Sequence, residues 1–515
     1  MRKWLLILVS LAALLILASV VVAIQLRPRV KARLEKILAE RFDSGVQIGS
    51  LSVRLFPKAS VTAGNISLRY RHRMDIPPLI TIGRISASSD LATLLFGAQH
   101  DVSLVRLQGL RITIAPGMMH HSQFTANSNV SNKNDDQTNY FPFVIHRIVA
   151  DGAVLVILPK KENRVPLEWD IEKLTMTSVG PRRPMNFVAS LTNAKPPGMI
   201  QSAGTFGPWQ KQDPGSTHVG GHYTFKNADM GVFKGLNGIL SSVGDYTGAL
   251  DDINVNGTTD IPNFQVGDGN PVDLKTKFSA TVDGTNGDTE LHPVDASFMQ
   301  SEFICQGGVV GTPGVKGRTI DLNVVSKQAR LEDILLLVLN SKQPPLVGDV
   351  DFQSKLVLPP RDVPVIEKLF LKGRFALQQA HFTSGKMQEH LDTWSDRSRG
   401  VKDAQNQPEV ASNMKGRFEL KDSVATLTGL SFGVPGILIA LDGTYGLRSE
   451  QIDFHGGIQL QGRLSAMITG WKSLLLKAAD PFFRRDGKTV LPIKITGTKS
   501  DPKFGLDFHR DKNER

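Results

Sequence analysis

The segment Leu51-Ser-Val-Arg-Leu55 carries the pattern that decides the fold. Leu51, Val53 and Leu55 alternate with the polar residues Ser52 and Arg54. Successive side chains of a β-strand point to opposite faces, so this period of two predicts a strand with one apolar and one polar face. The same alternation recurs in residues 60–63, 66–70, 80–86, 102–107 and 110–114. This part of the chain is therefore predicted to form a half-exposed β-sheet.

The alternation continues along most of the chain. It returns in residues 144–148, 154–158, 168–177, 222–225, 272–278, 491–496 and 504–508. The 47 glycines and 28 prolines are typical of many short strands joined by tight turns. Short helices are expected at 91–96 and 228–245, at the apolar segment 331–339, in the first part of the polar segment 385–411, and at 464–483, whose apolar residues recur at helical spacing. The predicted fold is mainly β with a few short helices.

A short repeat lies in the C-terminal half. Leu371-Lys-Gly-Arg-Phe-Ala-Leu377 returns as Met414-Lys-Gly-Arg-Phe-Glu-Leu420. Repeated hairpins that each expose one apolar face must stack to bury it, which favours an elongated sheet. The alternative is a coincidental recurrence of a common strand start.

The N-terminus predicts a membrane anchor. Residues 4–26 form an uncharged, apolar run directly after Arg2 and Lys3. As a helix this run is roughly 35 Å long, enough for the ~30 Å hydrocarbon core of a bilayer. The alternative is a cleaved signal peptide, whose apolar core is only about 7–15 residues long. We therefore expect a retained transmembrane helix over residues 1–27.

A basic amphipathic segment follows the apolar run. Arg27, Arg29, Lys31 and Arg33 are candidates for contact with anionic lipid head groups. Val30, Leu34, Ile37 and Leu38 share one face at helical spacing, so packing on the following domain is an equal alternative. The count of Lys and Arg on the two sides of the span leaves the orientation open.

Composition and motifs argue against several functional classes. The net charge of +11 is spread along the chain and aromatic residues make up only 7%, which is unlike a nucleic-acid-binding surface. The single cysteine, Cys305, excludes an internal disulfide and a thiolate cluster. Nucleophile elbows, phosphate-binding loops and zinc motifs are absent, and the acidic segment 283–290 lacks the last ligand of a calcium loop. No catalytic, cofactor or metal site is predicted, and the protein is not expected to be an enzyme.

The order of several motifs resembles the AsmA family, whose larger relatives include TamB and YhdP. The opening resembles it through the anchor, Val46-Gln-Ile-Gly-Ser-Leu-Ser-Val-Arg-Leu-Phe-Pro57, Asn65-Ile-Ser-Leu68 and residues 104–114. The middle resembles it through Ala329-Arg-Leu-Glu-Asp-Ile-Leu335. The ending resembles it through Gly443, the helix around Trp471, Pro481-Phe-Phe483, Leu491-Pro-Ile-Lys-Ile-Thr-Gly-Thr498 and Asp501-Pro-Lys-Phe504. The family's opening is itself likened to the chorein region of bridge-like lipid transfer proteins.

The resemblance implies an organisation along the chain. It implies an anchor at 1–27, a chorein-like region at 28–115, a disordered polar loop at 116–140, a middle β-rich groove region at 141–330 and an AsmA-like C-terminal β region at 331–515. It also implies a curved, taco-like antiparallel groove, an inner-membrane location in a diderm bacterium, and a body in the periplasm. The implied partners are phospholipid, the membrane and an envelope protein. Nucleic acid is not among them.

The resemblance also implies a role for the two faces of the sheet. Leu51, Val53, Leu55, Leu110, Ile112 and Ile114 are expected to face acyl chains, while Ser52, Arg54, Arg111 and Thr113 face solvent. The alternative is that the apolar face packs under a helix as an ordinary core. The expected function is phospholipid transport between the two membranes. The alternatives are an envelope assembly factor that assists outer-membrane protein biogenesis, and a membrane-anchored hydrolase with an unrecognised site.

Overall fold

The structure is a computed structural model of the chain. It describes residues 28, 31–32, 35–36, 44–54, 59–70, 77–89, 100–114, 143–157, 167–180, 183–210, 213–312, 315, 317–383, 412–434, 437–460, 484–485, 488–498 and 501–507. The predicted anchor at 1–27, the helical turns at 91–96, the polar loop at 116–140, the polar segment at 385–411 and the helix at 464–483 lie outside these residues. Among the residues described, no helix is both long enough and apolar enough to cross a membrane.

The described parts of the chain form one sheet of 26 strands. The first strands are β1 (Ser44–Arg54), β2 (Ala59–Tyr70), β3 (Ile80–Ser89), β4 (His100–Val102), β5 (Leu104–Ile114), β6 (Phe143–Ile157), β7 (Leu167–Val179), β8 (Met185–Ala194) and β9 (Pro197–Phe206). The middle strands are β10 (His218–Asp229), β11 (Leu236–Asn237), β12 (Ile239–Ala249), β13 (Asp252–Val266), β14 (Val272–Val282), β15 (Thr289–Phe298), β16 (Ser301–Gly311) and β17 (Arg318–Gln328). The last strands are β18 (Leu346–Leu358), β19 (Phe370–Phe382), β20 (Ser412–Lys421), β21 (Val424–Val434), β22 (Ile437–Gly446), β23 (Gln451–Leu460), β24 (Arg484–Arg485), β25 (Lys488–Thr498) and β26 (Pro502–Leu506). The prediction of a mainly β protein is confirmed.

Helical structure in the described residues is sparse. The predicted apolar helix is present as α1 (Leu331–Val338), and a single turn, α2 (Val365–Lys368), precedes β19. Residues 28, 31–32 and 35–36 are helical, as expected for the basic segment. The helix predicted over 228–245 is wrong: a 3-10 turn at Met230–Val232 is followed by β11 and β12. Residues 241–247 contain Val, Tyr and Thr between glycines, and this composition favours a strand.

Strand order follows the chain with few exceptions. The neighbours run from β1 through β3, β5 to β10, and β12 to β23, and end with β25 and β26. Adjacent strands are antiparallel except where β6 pairs in parallel with β4 and β5. A parallel pair needs a long connection, which the polar segment between β5 and β6 supplies. The resemblance implies an entirely antiparallel groove, and the parallel pairing of β6 with β4 and β5 corrects that expectation.

Several segments that the sequence separates are single strands. Residues 60–63 and 66–70 both belong to β2, and residues 144–148 and 154–157 both belong to β6. The alternation breaks at Asn65, Gly109 and Gly152, which have positive φ angles of 53°, 63° and 67°. A left-handed residue reverses the alternation of side chains without ending the strand, so Leu107 and Leu110 pack into the same apolar cluster.

The sheet is curved with its apolar side inside. Neighbouring strands lie about 4.8 Å apart, so rings and short side chains two strands away come into contact where the sheet curves towards them. The rings of Phe352 on β18 and Phe418 on β20 stack with centroids 5.4 Å apart, across the intervening β19. The hydroxyls of Tyr246 on β12 and Ser202 on β9 lie 2.6 Å apart, across β10. The sheet is thus a curled groove with an apolar floor.

Candidate functional site: an apolar groove

Rows of apolar side chains cross the strands on the inner side of the sheet, here called the apolar face. One row contains, in strand order, Val53, Val61, Ala87, Val105, Ile148, Met176 and Phe187. The same row continues through the middle strands into the C-terminal half, where it contains Leu322, Leu356, Leu371, Leu420, Ala425, Tyr445 and Ile452. Because cross-strand partners share a face, such rows together form the apolar floor of the groove.

Four of the predicted groove residues lie on the apolar face. Leu51 and Val53 pair with Ala63 and Val61, and both are half-buried. Leu110 and Ile112 pair with Ile82 and Ile80 in β3. Leu55 lies outside the described residues, and for Ile114 only the backbone pairing with Ile157 is described. The pairings therefore bring Leu51, Val53, Leu110 and Ile112 to one face, on different rows.

The opposite face is polar, with one exception among the predicted residues. Ser52, Arg54 and Arg111 are exposed, and Arg111 donates a 3.2 Å hydrogen bond to Glu168. Thr113 is only 6% exposed, so its prediction as a solvent-facing residue is wrong. Its cross-strand partner, Val156, is 4% exposed. The outer face is therefore locally covered at this end of β5.

The membrane-surface candidates are only partly described. Lys31 is in the helical segment, and its Nζ lies 4.0 Å from Glu35 one turn later. Arg27, Arg29 and Arg33 lie outside the described residues. Glu35 also accepts a 3.1 Å hydrogen bond from the main-chain nitrogen of Ile48, so this segment contacts β1.

Most side chains of the apolar face are half-buried. Side chains such as Ile82, Leu174, Val255, Leu322 and Ile458 are half-buried by their neighbours in the sheet. A second layer of structure over the face would bury them, as it does in a β-sandwich. Helix α1 covers one place, where it packs Leu331, Ile334 and Leu335 against a buried cluster that includes Phe303, Val350 and Leu377. The packed-core alternative thus fits the region beneath α1 and a second buried cluster of Leu110, Ala150 and Ala153, while the described residues form no second layer over the rest of the floor.

Helix α1 is held at the rim of the groove by polar contacts. The Asp333 side chain is 2% exposed and accepts hydrogen bonds from the Gln300 nitrogen at 2.9 Å and the Ser301 hydroxyl at 2.7 Å. The Asn270 amide donates to the carbonyl oxygens of Leu336 and Leu339, at 3.0 and 2.9 Å. These bonds fix the helix over the apolar face.

Glycines lie opposite aromatic residues along the floor. The cross-strand pairs are Phe187 with Gly204, Tyr246 with Gly221, Tyr223 with Gly244, Phe278 with Gly257, Phe418 with Gly373, Phe375 with Gly416 and Phe454 with Gly443. At Gly373 an added Cβ would lie 2.1 Å from the Gln353 carbonyl oxygen and 2.9 Å from the Phe418 ring. All of these positions except Gly416 have a backbone oxygen within 2.6 Å of an added Cβ, so at them the curved backbone occupies the space of a side chain.

The two long rims of the sheet meet at one place, here called the rim bridge. Lys234, between β10 and β12 on one rim, donates from Nζ to the Asp362 carboxylate at 3.0 Å. Asp362 lies between β18 and β19 on the other rim, and there the Val365 nitrogen donates to the Lys234 carbonyl oxygen at 2.8 Å. The Lys234 ammonium lowers the pKa of the Asp362 carboxyl group. The mouth of the groove is therefore bridged at this point.

Groups with catalytic or metal-binding potential lie away from the groove floor. His222 pairs with Asp245 on the outer face, at 3.1 Å. The Asp283 carboxylate accepts bonds from Thr285 and Asn286 within its own turn, and Asp288 pairs with Arg318. Within the described residues, no three histidine, cysteine, aspartate or glutamate side chains are close enough to hold a metal ion.

A hydroxyl cluster in the middle of the floor was missed by the sequence reasoning. Tyr223 and Tyr246 face Ser242 and Ser202 on the otherwise apolar face. The signal for it was a Gly-x-Tyr pattern, present at Gly221–Tyr223 and again at Gly244–Tyr246. In antiparallel neighbours this spacing places each tyrosine opposite the other strand's glycine.

Comparison with known proteins returned nothing similar to this chain: no protein-family model, no curated protein and no solved structure matches it.

Proposed function

We propose that this chain is an AsmA-like, membrane-anchored protein of the inner membrane that holds lipid acyl chains on its apolar face. In this proposal it takes part in phospholipid transport between the inner and outer membranes. The observation that carries the proposal is the long apolar floor, most of whose side chains are half-buried and have no second layer over them among the described residues. Acyl chains are suitable occupants, because each methylene removed from water contributes about 0.8 kcal/mol.

The polar outer face supports the same proposal. Residues that alternate with the floor, such as Asn256 and Asn323, are exposed. A groove with an apolar interior and a polar exterior lets acyl chains cross an aqueous space while head groups stay hydrated. The rim bridge would limit entry from above at one point and leave passage along the floor.

The alternative of an assembly factor requires a free sheet edge that adds a client strand. β1 is one terminal strand of the sheet. The main-chain nitrogen of Ile48 in β1 already donates to Glu35. The helical segment thus occupies part of that edge, and we favour the lipid proposal.

Site-specific photocrosslinking tests the proposal in the full-length chain. A photoreactive side chain at Leu322 or Val255 on the floor is expected to form lipid adducts in membranes. The matched controls are the next residues, Asn323 and Asn256, which are exposed on the outer face. Equal labelling of both faces, or no lipid adduct at either floor position, contradicts the proposal. Protein adducts in place of lipid at the floor favour the assembly factor.

A further inference from the structure

A polar interruption divides the apolar floor of the groove. Ser202, Tyr223, Ser242, Tyr246 and Thr259, here called the tyrosine patch, lie on four neighbouring strands from β9 to β13. Their pairings place them on three rows that contain Met176, Leu174 and Ile171 towards the N-terminus. Towards the C-terminus the floor is apolar again, with Phe303, Val324 and Leu356. The patch is thus a polar site between two apolar stretches.

The hydrogen bonds of the patch determine what it offers a ligand. The Ser202 hydroxyl donates to the His222 carbonyl oxygen at 3.0 Å, and the Ser242 hydroxyl donates to the Thr258 carbonyl oxygen at 2.9 Å. Because each serine proton is used, the Tyr246 hydroxyl donates to Ser202 and the Tyr223 hydroxyl donates to Ser242, at 2.6 and 3.1 Å. Each phenolic oxygen then keeps lone pairs but has no free proton. The tyrosines therefore offer acceptors.

The hydroxyls are not needed for the packing of these two rings. Each ring lies opposite a glycine, and the other rings in the same arrangement are phenylalanines, including Phe278, Phe375 and Phe418. Burial raises the pKa of both tyrosines, so they remain neutral. The Asp245 carboxylate, which lies on the outer face beside His222, adds to the rise for Tyr223. Neutral phenolic oxygens that act as acceptors favour a ligand with a free hydrogen-bond donor.

We propose that the tyrosine patch binds a hydrogen-bond-donating head group, an ammonium or a hydroxyl, of an amphiphile whose acyl chains lie on the adjoining floor. The inference rests on the proposed function, because it assigns a head-group preference to the same groove. A methylated quaternary ammonium has no donor, so the patch discriminates against it. Attraction of such a cation to the ring faces does not depend on the hydroxyls. Removing only the hydroxyls therefore separates the two modes of recognition.

Lipid competition on the full-length protein tests this inference. The detergent-purified chain is exchanged against vesicles that contain equal amounts of phosphatidylethanolamine, phosphatidylglycerol and phosphatidylcholine with identical acyl chains. Bound lipid is then extracted and quantified by mass spectrometry. The native chain is expected to enrich a donor-bearing lipid over phosphatidylcholine by about tenfold, the effect of one hydrogen bond to a charged or well-placed group. Enrichment of phosphatidylethanolamine alone identifies the ammonium, and enrichment of both donor lipids identifies donors in general.

The variants decide where the preference arises. Tyr223→Phe with Tyr246→Phe is expected to lose the enrichment while the total amount of bound lipid is unchanged. The matched control is Tyr445→Phe, which removes a hydroxyl from the same face outside the patch and should keep the enrichment. Circular dichroism melting checks that the double variant is folded.

The outcomes distinguish this inference from the proposal beneath it. Lipid bound by the native chain without head-group preference, or a preference unchanged in the double variant, overturns the inference alone. A preference for phosphatidylcholine also overturns it. Absence of any bound lipid in the native chain overturns the proposed function and the inference together.

Discussion

Substituting aspartate at Ile112 and at Leu110 measures how open the groove floor is. Both residues lie on β5 and on the apolar face, but Ile112 is half-buried and Leu110 is 7% exposed within a buried cluster. Full burial of such a side chain contributes about 1.5–3 kcal/mol, so replacing the half-buried Ile112 loses roughly half of that free energy. The poorer strand propensity of aspartate adds up to about 1 kcal/mol. Ile112→Asp should therefore destabilise the local sheet by about 2 kcal/mol.

Leu110→Asp should be far more damaging. This substitution loses the whole burial free energy of the leucine side chain. It also places a carboxylate among Ala150, Ala153 and Ile82, where it is shielded from water. That adds several kcal/mol, for a total of at least about 4 kcal/mol. Val53→Asp, on the half-buried part of β1, should resemble Ile112→Asp.

Hydrogen exchange on peptides that cover β5 is the appropriate measurement, because an elongated sheet does not unfold as one unit. Lipid occupancy is measured on the same samples. We expect Ile112→Asp to keep β5 protected and to lower lipid occupancy, while Leu110→Asp removes protection. If Ile112→Asp removes protection to the same extent as Leu110→Asp, the floor is a covered core at this point and the open groove is wrong here.

Three further predictions follow from individual contacts. Gly373→Ala should destabilise β18 to β20 by about 1–3 kcal/mol because its Cβ meets the Gln353 carbonyl oxygen, whereas Gly433→Ala, with its nearest atom 3.7 Å away, should be neutral by urea unfolding. Asp333→Ala should release α1 at a cost of about 2–3 kcal/mol, seen as faster exchange in residues 331–338, and a variant that keeps α1 protected would contradict the role of its two hydrogen bonds. The hydrogen bond to Asp507 raises the pKa of His455. This contact therefore stabilises the fold fully below the unfolded pKa near 6.5, and its contribution is lost as pH rises through the folded pKa of His455. Hydrogen exchange at β26, corrected for the intrinsic exchange rate, should accelerate above neutral pH in the native chain and show no such pH dependence in His455→Gln.

The period-two alternation was sufficient to predict most strands, because in a sheet with one solvent-exposed face polar and apolar residues alternate along each strand. It failed where the backbone breaks the period. At Asn65, Gly109 and Gly152 the positive φ reverses the alternation, and one strand was therefore interpreted as two. The pairing of β5 with β6 in parallel depends on the path of a long connection, which side-chain pattern does not encode.

The repeat was recognised in the sequence, but its structural meaning was not. Its two copies are not stacked hairpins; they are the neighbouring strands β19 and β20. Antiparallel pairing places Gly373 opposite Phe418 and Phe375 opposite Gly416. Gly-x-aromatic is thus self-complementary between neighbours, and the Gly221–Tyr223 and Gly244–Tyr246 segments use the same rule. The pairing of glycine with an aromatic residue joins two neighbouring strands, so an analysis of each strand by itself does not predict it.

This rule also explains how a long groove stays open without a second layer. A ring that lies over a glycine covers the backbone of the next strand while adding little height to the floor, so curvature does not fill the groove with side chains. Twenty-three of the described strands follow one another as neighbours, with β4, β11 and β24 paired beside them, so steps of about 4.8 Å give a contour of roughly 100 Å across the strands. An acyl chain in one leaflet is about half of the ~30 Å hydrocarbon thickness, so several chains fit along the floor in file. If the proposed function is correct, such a floor would be a path rather than a pocket, and the tyrosine patch would be the point on that path where head-group chemistry, and not only acyl-chain length, decides which lipid passes.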